Sequence, residues 1–318
     1  MTSTFRTNDA LALGASLYVP ATHPDLVAIG RGQKFALRSL IYCTEDAVGY
    51  AELPYALHNL ARALNILSLD DDPVPMRFVR VRNIEVMRHV LAMNTASLHG
   101  LVLPKVTVES LAHYLDLLPA KSHLSLMLTL ETQEVFSEAS MSQLREMLLS
   151  PHIRRRILSL RIGGNDLLNL LSLRRERGVL LYDTPLSHVV DRLITLFKPF
   201  GFNLSAPVYD AVNDPATLTK EVKLDLQHGL FGKTAIHPEQ IPVIEACYKV
   251  SPQEWETAQA ILEADAPAVF LRNGRLCEPS THKRWAEQIV QRAAHYGLQM
   301  TPLGAEELRH EFIPANAV

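Results

Sequence analysis

Gly229-Leu230-Phe231-Gly232-Lys233-Thr234-Ala235-Ile236-His237-Pro238-Glu239-Gln240-Ile241 carries an apolar run as far as Ile236 and breaks it at His237-Pro238. A helical period then runs through Gln240 to Tyr248. Proline suits the first turn of a helix, where its missing N–H leaves no bond unmade. The stretch therefore reads as a buried strand that ends in polar groups beside a helix start. Such polar groups, set just past a buried strand, are what a catalytic face is made of.

Working back towards the N-terminus, short apolar runs recur near Ser16–Val19, Arg38–Cys43, Arg77–Val81, Gly100–Leu103, Leu124–Leu130, Ile157–Ile162, Asn203–Ala206 and Gly232–Ile236. Between them, segments 52–67, 84–93, 108–117, 140–149, 185–197 and 216–228 carry apolar residues three and four apart. That spacing makes one helical face apolar. Strand and helix in strict alternation build a parallel sheet, and eight strands predict an α/β fold of the (βα)8 TIM-barrel type. A doubly wound sheet is the alternative. No GxGxxG follows the first strand, and Gly30-Arg31-Gly32-Gln33-Lys34 has neither the dinucleotide-binding nor the P-loop spacing.

After Val250 the pattern changes. Ser251-Pro252-Gln253-Glu254 has the form of a capped helix start, and helices are expected over 253–263 and 281–296, with an apolar segment 268–271 and an Asn273-Gly274 turn between them. The expected organisation is a barrel domain over 1–250 and a C-terminal helical extension over 251–318. The extension looks too small for a core of its own and is expected to pack on the barrel or on a neighbouring subunit.

A chain of 318 residues, 47% hydrophobic and 20% charged, can bury a full core, which excludes disorder and fibre. Its net charge of -3 gives no global basic field, so no nucleic acid partner is expected. The basic runs Arg154-Arg155-Arg156 and Arg174-Arg175-Glu176-Arg177 read as solvated helix ends. Cys43, Cys247 and Cys277 are odd in number and far apart, which suits neither a disulfide framework nor a CxxC metal site and fits a cytoplasmic protein. The N-terminal residues lack a signal-type apolar segment, and no apolar run approaches membrane-spanning length, so no membrane partner is expected.

Function in a barrel gathers where strands end. Those ends carry Glu45-Asp46, Arg80, Lys105, Glu131, Asn165-Asp166, Tyr209-Asp210 and, at the eighth, Lys233 and His237. Glu131 and Asp166 end consecutive strands, and neighbouring strands lie about 4.8 Å apart. Two carboxylates so placed can share a hard cation, and Mg²⁺ suits them because it keeps several waters and leaves positions for substrate oxygens. The plainer reading is that both cap the helices that follow. Gly163-Gly164 before Asn165-Asp166 suits a backbone that approaches a ligand closely.

Taken in order, several motifs resemble those of the HpcH/HpaI aldolase and citrate lyase β-subunit superfamily, and within it the branch of carbon-carbon bond lyases of TIM-barrel fold found near tellurium-resistance genes. They are Leu17-Tyr18-Val19-Pro20 with His23-Pro24, Thr44-Glu45-Asp46-Ala47-Val48, Phe78-Val79-Arg80-Val81, Val102-Leu103-Pro104-Lys105, Leu130-Glu131-Thr132, Gly164-Asn165-Asp166-Leu167 and Gly232 to Ile241. The resemblance implies Mg²⁺ held by Glu131 and Asp166, a small carboxylic acid or acyl thioester as substrate, Arg80 stabilising an oxyanion, and a homo-oligomer. Lysine Schiff-base chemistry is not implied. Lys105, Gly164 and His237 are expected to line the substrate site beside Arg80, with Glu45 and Asp46 orienting metal waters or the arginine.

Departures from the family are visible too. Cys43 stands where relatives carry an acidic residue, Asn165 where they carry glutamate, and Gly14-Ala15 where an arginine commonly opens the first strand. Glu278, in Asn273-Gly274-Arg275-Leu276-Cys277-Glu278, takes the place of an aspartate that in the family reaches an active site, sometimes across a subunit boundary. The alternative is a surface turn. His237 can shuttle protons or merely bond a neighbouring loop, and Cys43 reads as a buried thiol. The reaction expected is a retro-aldol or retro-Claisen cleavage, with Glu45, Glu278 or a metal-bound water as the base. Thioester hydrolysis, condensation and a non-catalytic binding barrel are the alternatives.

Overall fold

The computed structural model describes residues 9–70 and 75–300. The first eight residues and the part of the C-terminal extension beyond Met300, both covered by the expectations above, lie outside the described residues. The chain divides into two compact units, Met1–Cys247 and Tyr248–Val318.

In the first unit the elements run β1 (Ala15–Pro20), α1 (Leu26–Gly30), β2 (Ser39–Cys43), α2 (Leu53–Leu67), β3 (Met76–Arg80), α3 (Ile84–Leu91), β4 (Gly100–Leu103), α4 (Val108–Leu117), β5 (Ser125–Leu130), α5 (Glu138–Leu149), α6 (Pro151–Arg154), β6 (Ile157–Ile162), α7 (Gly164–Leu170), α8 (Leu186–Phe197), β7 (Leu204–Ser205), α9 (Pro215–Gln227), β8 (Lys233–Ala235) and α10 (Gln240–Tyr248). All eight strands pair in parallel, in the order β7-β6-β5-β4-β3-β2-β1-β8. A parallel bridge between Ala206 and Lys233 joins the two ends, with the Ala206 N–H donating to the Gly232 carbonyl at 2.9 Å and the Phe231 N–H to that of Leu204 at 3.0 Å. The sheet is a closed (βα)8 barrel.

The strands are buried on both faces because helices cover them, so they read as continuous apolar runs: Leu126, Met127, Leu128 and Leu130 of β5 are all fully buried. Alternate residues turn inward. Ile41, Phe78, Val102 and Met127 pack with Ala10 and Leu13 of a short 3₁₀ turn, Ala10–Leu13, which plugs the barrel below the site. The loops above the strands end in helix caps: the Asn83 Oδ1, Thr107 Oγ1 and Asp214 Oδ1 atoms accept from the N–H groups of Val86, Ser110 and Thr217. At Gly100 a Cβ would stand 2.1 Å from the Ser125 carbonyl oxygen, so the β4–β5 approach requires glycine there.

Two expectations are corrected. Lys233 does not shape the mouth. One residue of strand parity turns it outward, where its Nζ bonds Glu221 at 3.0 Å and Asp225 at 2.9 Å on α9. The run 174–177 is not wholly solvated either: Arg175 is buried, bonded to Glu221 and donating to the Val208 carbonyl at 2.7 Å. Arg175 and Lys233 thus share the Glu221 carboxylate, which places a second cation in the interior.

The second unit holds α11 (Pro252–Leu262), β9 (Phe270–Arg272), β10 (Arg275–Cys277) and α12 (Pro279–Tyr296). Ser251 and Glu254 form the capping box expected of them. The strands make an antiparallel hairpin around Asn273-Gly274, both with positive φ, the combination a two-residue turn requires. Val250, Ala258, Ile261, Cys277, Ala286 and Ile289 form a buried cluster. The extension therefore has a small core, where the sequence reading expected none, because α11 and α12 turn their apolar stripes on each other. Among the described residues no helix is long and apolar enough to cross a membrane.

Candidate active site

A cavity of about 250 Å³ opens at the C-terminal ends of the barrel strands. Its lining includes Asp46, Arg80, Glu131, Gly164, Asn165 and Asp166, which the sequence singled out, together with Tyr18, Thr129, Arg161 and Thr234, which it did not.

Glu131 follows β5 and is buried. Its Oε1 accepts from the Lys105 backbone N–H at 2.9 Å and from Arg80 Nη2 at 3.3 Å, while Oε2 has no hydrogen-bond partner among the described residues. The first contact depends on Lys105 adopting φ +50, a left-handed conformation uncommon outside glycine, which aims its N–H at the carboxylate. Space for Oε2 depends on Gly163, where a Cβ would come within 2.3 Å of that oxygen. Burial, helped by nearby Asp166 and Glu45 and opposed by Arg80, pushes the Glu131 carboxyl up to about 7. Asp166 lies in the first turn of α7, 3.6 Å from Lys105 Nζ.

Arg80, on β3, is gripped by carboxylates: Nη2 pairs with Glu45, with Asp46 at 3.1 Å and with Glu131 at 3.3 Å. Burial opposes its charge, but the Glu131 and Glu45 carboxylates outweigh burial and hold it firmly protonated. Lys105 Nζ donates to Glu45 Oε1 at 2.8 Å. Burial works against that ammonium as well, and the Glu45 bond with Asp46 and Asp166 nearby keeps it above its ordinary value. An amine so held is no nucleophile at neutral pH. Burial also raises Glu45, with Arg80 and Lys105 opposing. The Glu45-Asp46 loop is itself fixed by Arg82, whose Nε and Nη2 donate to the Thr44 and Glu45 carbonyls at 3.0 and 2.8 Å, with the guanidinium 4.2 Å from the Tyr50 ring.

Glu45, Asp46, Arg80, Lys105, Glu131, Gly164 and Asp166 are thus brought together. His237 is not: its ring lies outside the lining, with Nδ1 accepting from the Glu239 N–H at 3.3 Å and exposed beside that carboxylate. Glu278 belongs to the second unit, where it precedes α12 and its Oε2 accepts from Thr281 Oγ1 at 3.0 Å. Cys43 is buried, and burial raises its thiol, as expected of an inert cysteine. Arg161 could have been found from parity: it stands two residues before Gly163 and is the one charge in the run Ile157–Ile162.

A parallel barrel with buried carboxylates and arginines at its C-terminal mouth is the architecture of an enzyme of TIM-barrel fold. The model of one family, the C-C bond lyases of the TIM-barrel fold, matches residues 7–298, and the chain belongs to that family. Among curated proteins it is similar to (3S)-malyl-CoA thioesterase of Cereibacter sphaeroides, 26% identical over 255 residues that cover 78% of this chain and 81% of the thioesterase. Among solved structures it resembles the CitE protein of Mycobacterium tuberculosis in complex with magnesium, acetoacetate and coenzyme A, with a TM-score of 0.66 and 23% identity over 89% of this chain and 99% of that one. It also resembles RipC of Yersinia pestis, with a TM-score of 0.56 and 19% identity over 74% of this chain and 95% of that one. At these identities the structural likenesses speak for the fold.

Proposed function

We propose that this chain is a Mg²⁺-dependent carbon-carbon bond lyase acting on a small hydroxy or oxo acid or its thioester. The observation that carries the reading is Glu131, whose Oε1 is tied down while Oε2 is left without a partner in a cavity that Asp166 also lines. Among the described residues no group of three or more His, Cys, Asp or Glu side chains forms a metal cage. Two carboxylates in an oxygen-rich cavity fit a hard ion that takes its remaining ligands from water and substrate.

Glu131 and Asp166 would hold the ion, which when bound acts as a Lewis acid on the oxygens of the acid. Arg80, fixed by three carboxylates, presents a charged guanidinium to negative charge that develops as the bond breaks. Of the two carboxylates after β2, Asp46 lines the cavity and Glu45 does not. In this reading Asp46, rather than the Glu45, Glu278 or metal-bound water named above, would take the substrate hydroxyl proton, with Glu45 keeping Lys105 and Arg80 in position. Thioester hydrolysis is the second reading, favoured by the malyl-CoA thioesterase relatives. Incubation with Mg²⁺ and malyl-CoA separates the two, since carbon-carbon cleavage yields glyoxylate and acetyl-CoA whereas hydrolysis yields malate and free CoA. Absence of all four products with and without Mg²⁺ would count against both readings for the thioester and leave the free acid.

Two further outcomes follow from the geometry. A Cβ at residue 163 collides with Glu131, so Gly163→Ala is expected to lower Mg²⁺ affinity at least about tenfold in calorimetry, since a ligand pushed out of place loses on the order of 1–3 kcal/mol. Unchanged affinity would show that Glu131 is not a ligand. The second concerns pH. A carboxyl raised to about 7 keeps its proton below that pH, and Mg²⁺ must displace it. Apparent Mg²⁺ affinity should climb by up to about tenfold per unit between pH 5.5 and 7 and level off above. For stability the sign is opposite: ionisation of Glu131 opposes the metal-free fold as pH rises from its ordinary range through about 7. A flat affinity profile would contradict the assignment.

A further inference from the structure

We propose that Arg161 is the specificity residue of this cavity, its guanidinium receiving a second carboxylate of the bound acid, so that the substrate is a dicarboxylate. The inference rests on the proposed reading of the cavity as a small-acid site and narrows it to the free acid, since a thioester masks the second carboxylate.

Charged side chains around the cavity are otherwise matched. Arg80 and Lys105 are bonded to Glu45, Asp46, Glu131 or Asp166. Arg161 is only 3% exposed, yet it has no carboxylate partner among the described residues. Its contacts are the Thr234 hydroxyl, the Met127 sulfur at 3.7 Å and the Tyr18 ring, whose centroid lies 5.6 Å from its Cζ. A guanidinium has five N–H donors, and burying one against a hydroxyl, a thioether and a ring leaves most of them unmet. Such burial costs free energy in the empty protein unless an anion restores the balance.

A second observation points to the same place. Thr129 Oγ1 is buried without a hydrogen-bond partner, and Thr129 is the register partner of Arg161 across β5 and β6. Both line the cavity, as do Tyr18 and Thr234. These groups come from β1, β5, β6 and β8, and on β5 and β6 they sit one inward position below Glu131 and Gly163. An acid held at its α-carboxylate end by Glu131 and Asp166 through the ion would extend towards Arg161. There a planar carboxylate meets a planar fork, with hydroxyls beside it, the geometry that favours Arg over Lys.

The test compares malate with lactate, which share the α-hydroxy acid group and differ in the second carboxylate, by calorimetry at saturating Mg²⁺. The wild-type chain is expected to bind malate at least about tenfold more tightly than lactate. Arg161→Gln should bring that ratio to within about twofold of unity, chiefly by weakening malate, and Arg161→Lys should restore part of it. The melting temperature of Arg161→Gln should stay level or rise, because an unpaired buried charge has been removed. A wild type that binds both acids equally, or a glutamine variant with an unchanged ratio, would overturn the role of Arg161 and leave the acid site standing. A wild type that binds neither acid would overturn the acid site and this inference with it.

Discussion

Glu131→Gln is expected to leave the barrel folded and to remove the response to Mg²⁺, with turnover falling by on the order of 10³-fold or more. Lewis-acid stabilisation is worth several kcal/mol of barrier, and each 1.36 kcal/mol is a factor of ten. Glutamine keeps an oxygen for the Lys105 N–H and loses only the charge, so Arg80 retains Glu45 and Asp46. The variant also removes the carboxyl that burial pushes to about 7, and its stability should lose the corresponding pH dependence. Mg²⁺ calorimetry and a melting curve on the same sample read both effects. Retention of wild-type Mg²⁺ affinity by a folded variant would end the metal assignment, and with it the lyase mechanism.

Lys233→Met is expected to have the largest effect on stability. Lys233 is 1% exposed and bonds both Glu221 and Asp225; burial opposes its charge, and those two carboxylates raise its pKa regardless. Removing the cation leaves Asp225 with the Tyr182 hydroxyl and Glu221 with Arg175 and the Leu181 N–H. Breaking a buried pair on one side costs about 3–5 kcal/mol, roughly 10 °C in the melting temperature of a unit this size. The double variant Lys233→Met with Asp225→Asn should recover part of the loss, because the stranded charge goes too. A melting temperature within about 2 °C of wild type would show that the network contributes little.

Much of this was legible in the sequence. All eight strands, six of the helices between them, the capping box at Ser251 and the convergence of Glu45, Asp46, Arg80, Lys105, Glu131 and Asp166 followed from apolar runs and from what stands at their ends, whereas the short helices α1, α6 and α7 did not. What escaped was which way a side chain points. Strands covered on both faces are apolar throughout, so the alternation that reveals inward and outward positions in a half-exposed strand is absent. Lys233 was therefore read as a mouth residue and Arg161 was missed, although the strand of Arg161 has the expected limits and that of Lys233 lies within its own. Arg175 escaped for a related reason: a run of arginines in a loop gives no sign that one of them turns inward to meet a glutamate on a helix far along the chain. His237 was drawn into the site by proximity to a strand end, and the loop that carries it turns away.

The seam between β7 and β8 bears on the order in which the molecule assembles. β7 contributes two residues and β8 three, and the ring is completed by one bridge from Ala206 to Lys233 and by pairing of Thr234 with Ser16 on β1, the latter a contact between opposite ends of the barrel's chain. Contacts of such sequence separation carry the greatest loop-closure cost and form late. Thr234 is also the hydroxyl on Arg161. A nascent chain that has emerged only through α8 already holds Glu131, Asp166 and Arg80, yet it has no wall opposite them; the cavity comes into being with the last strand.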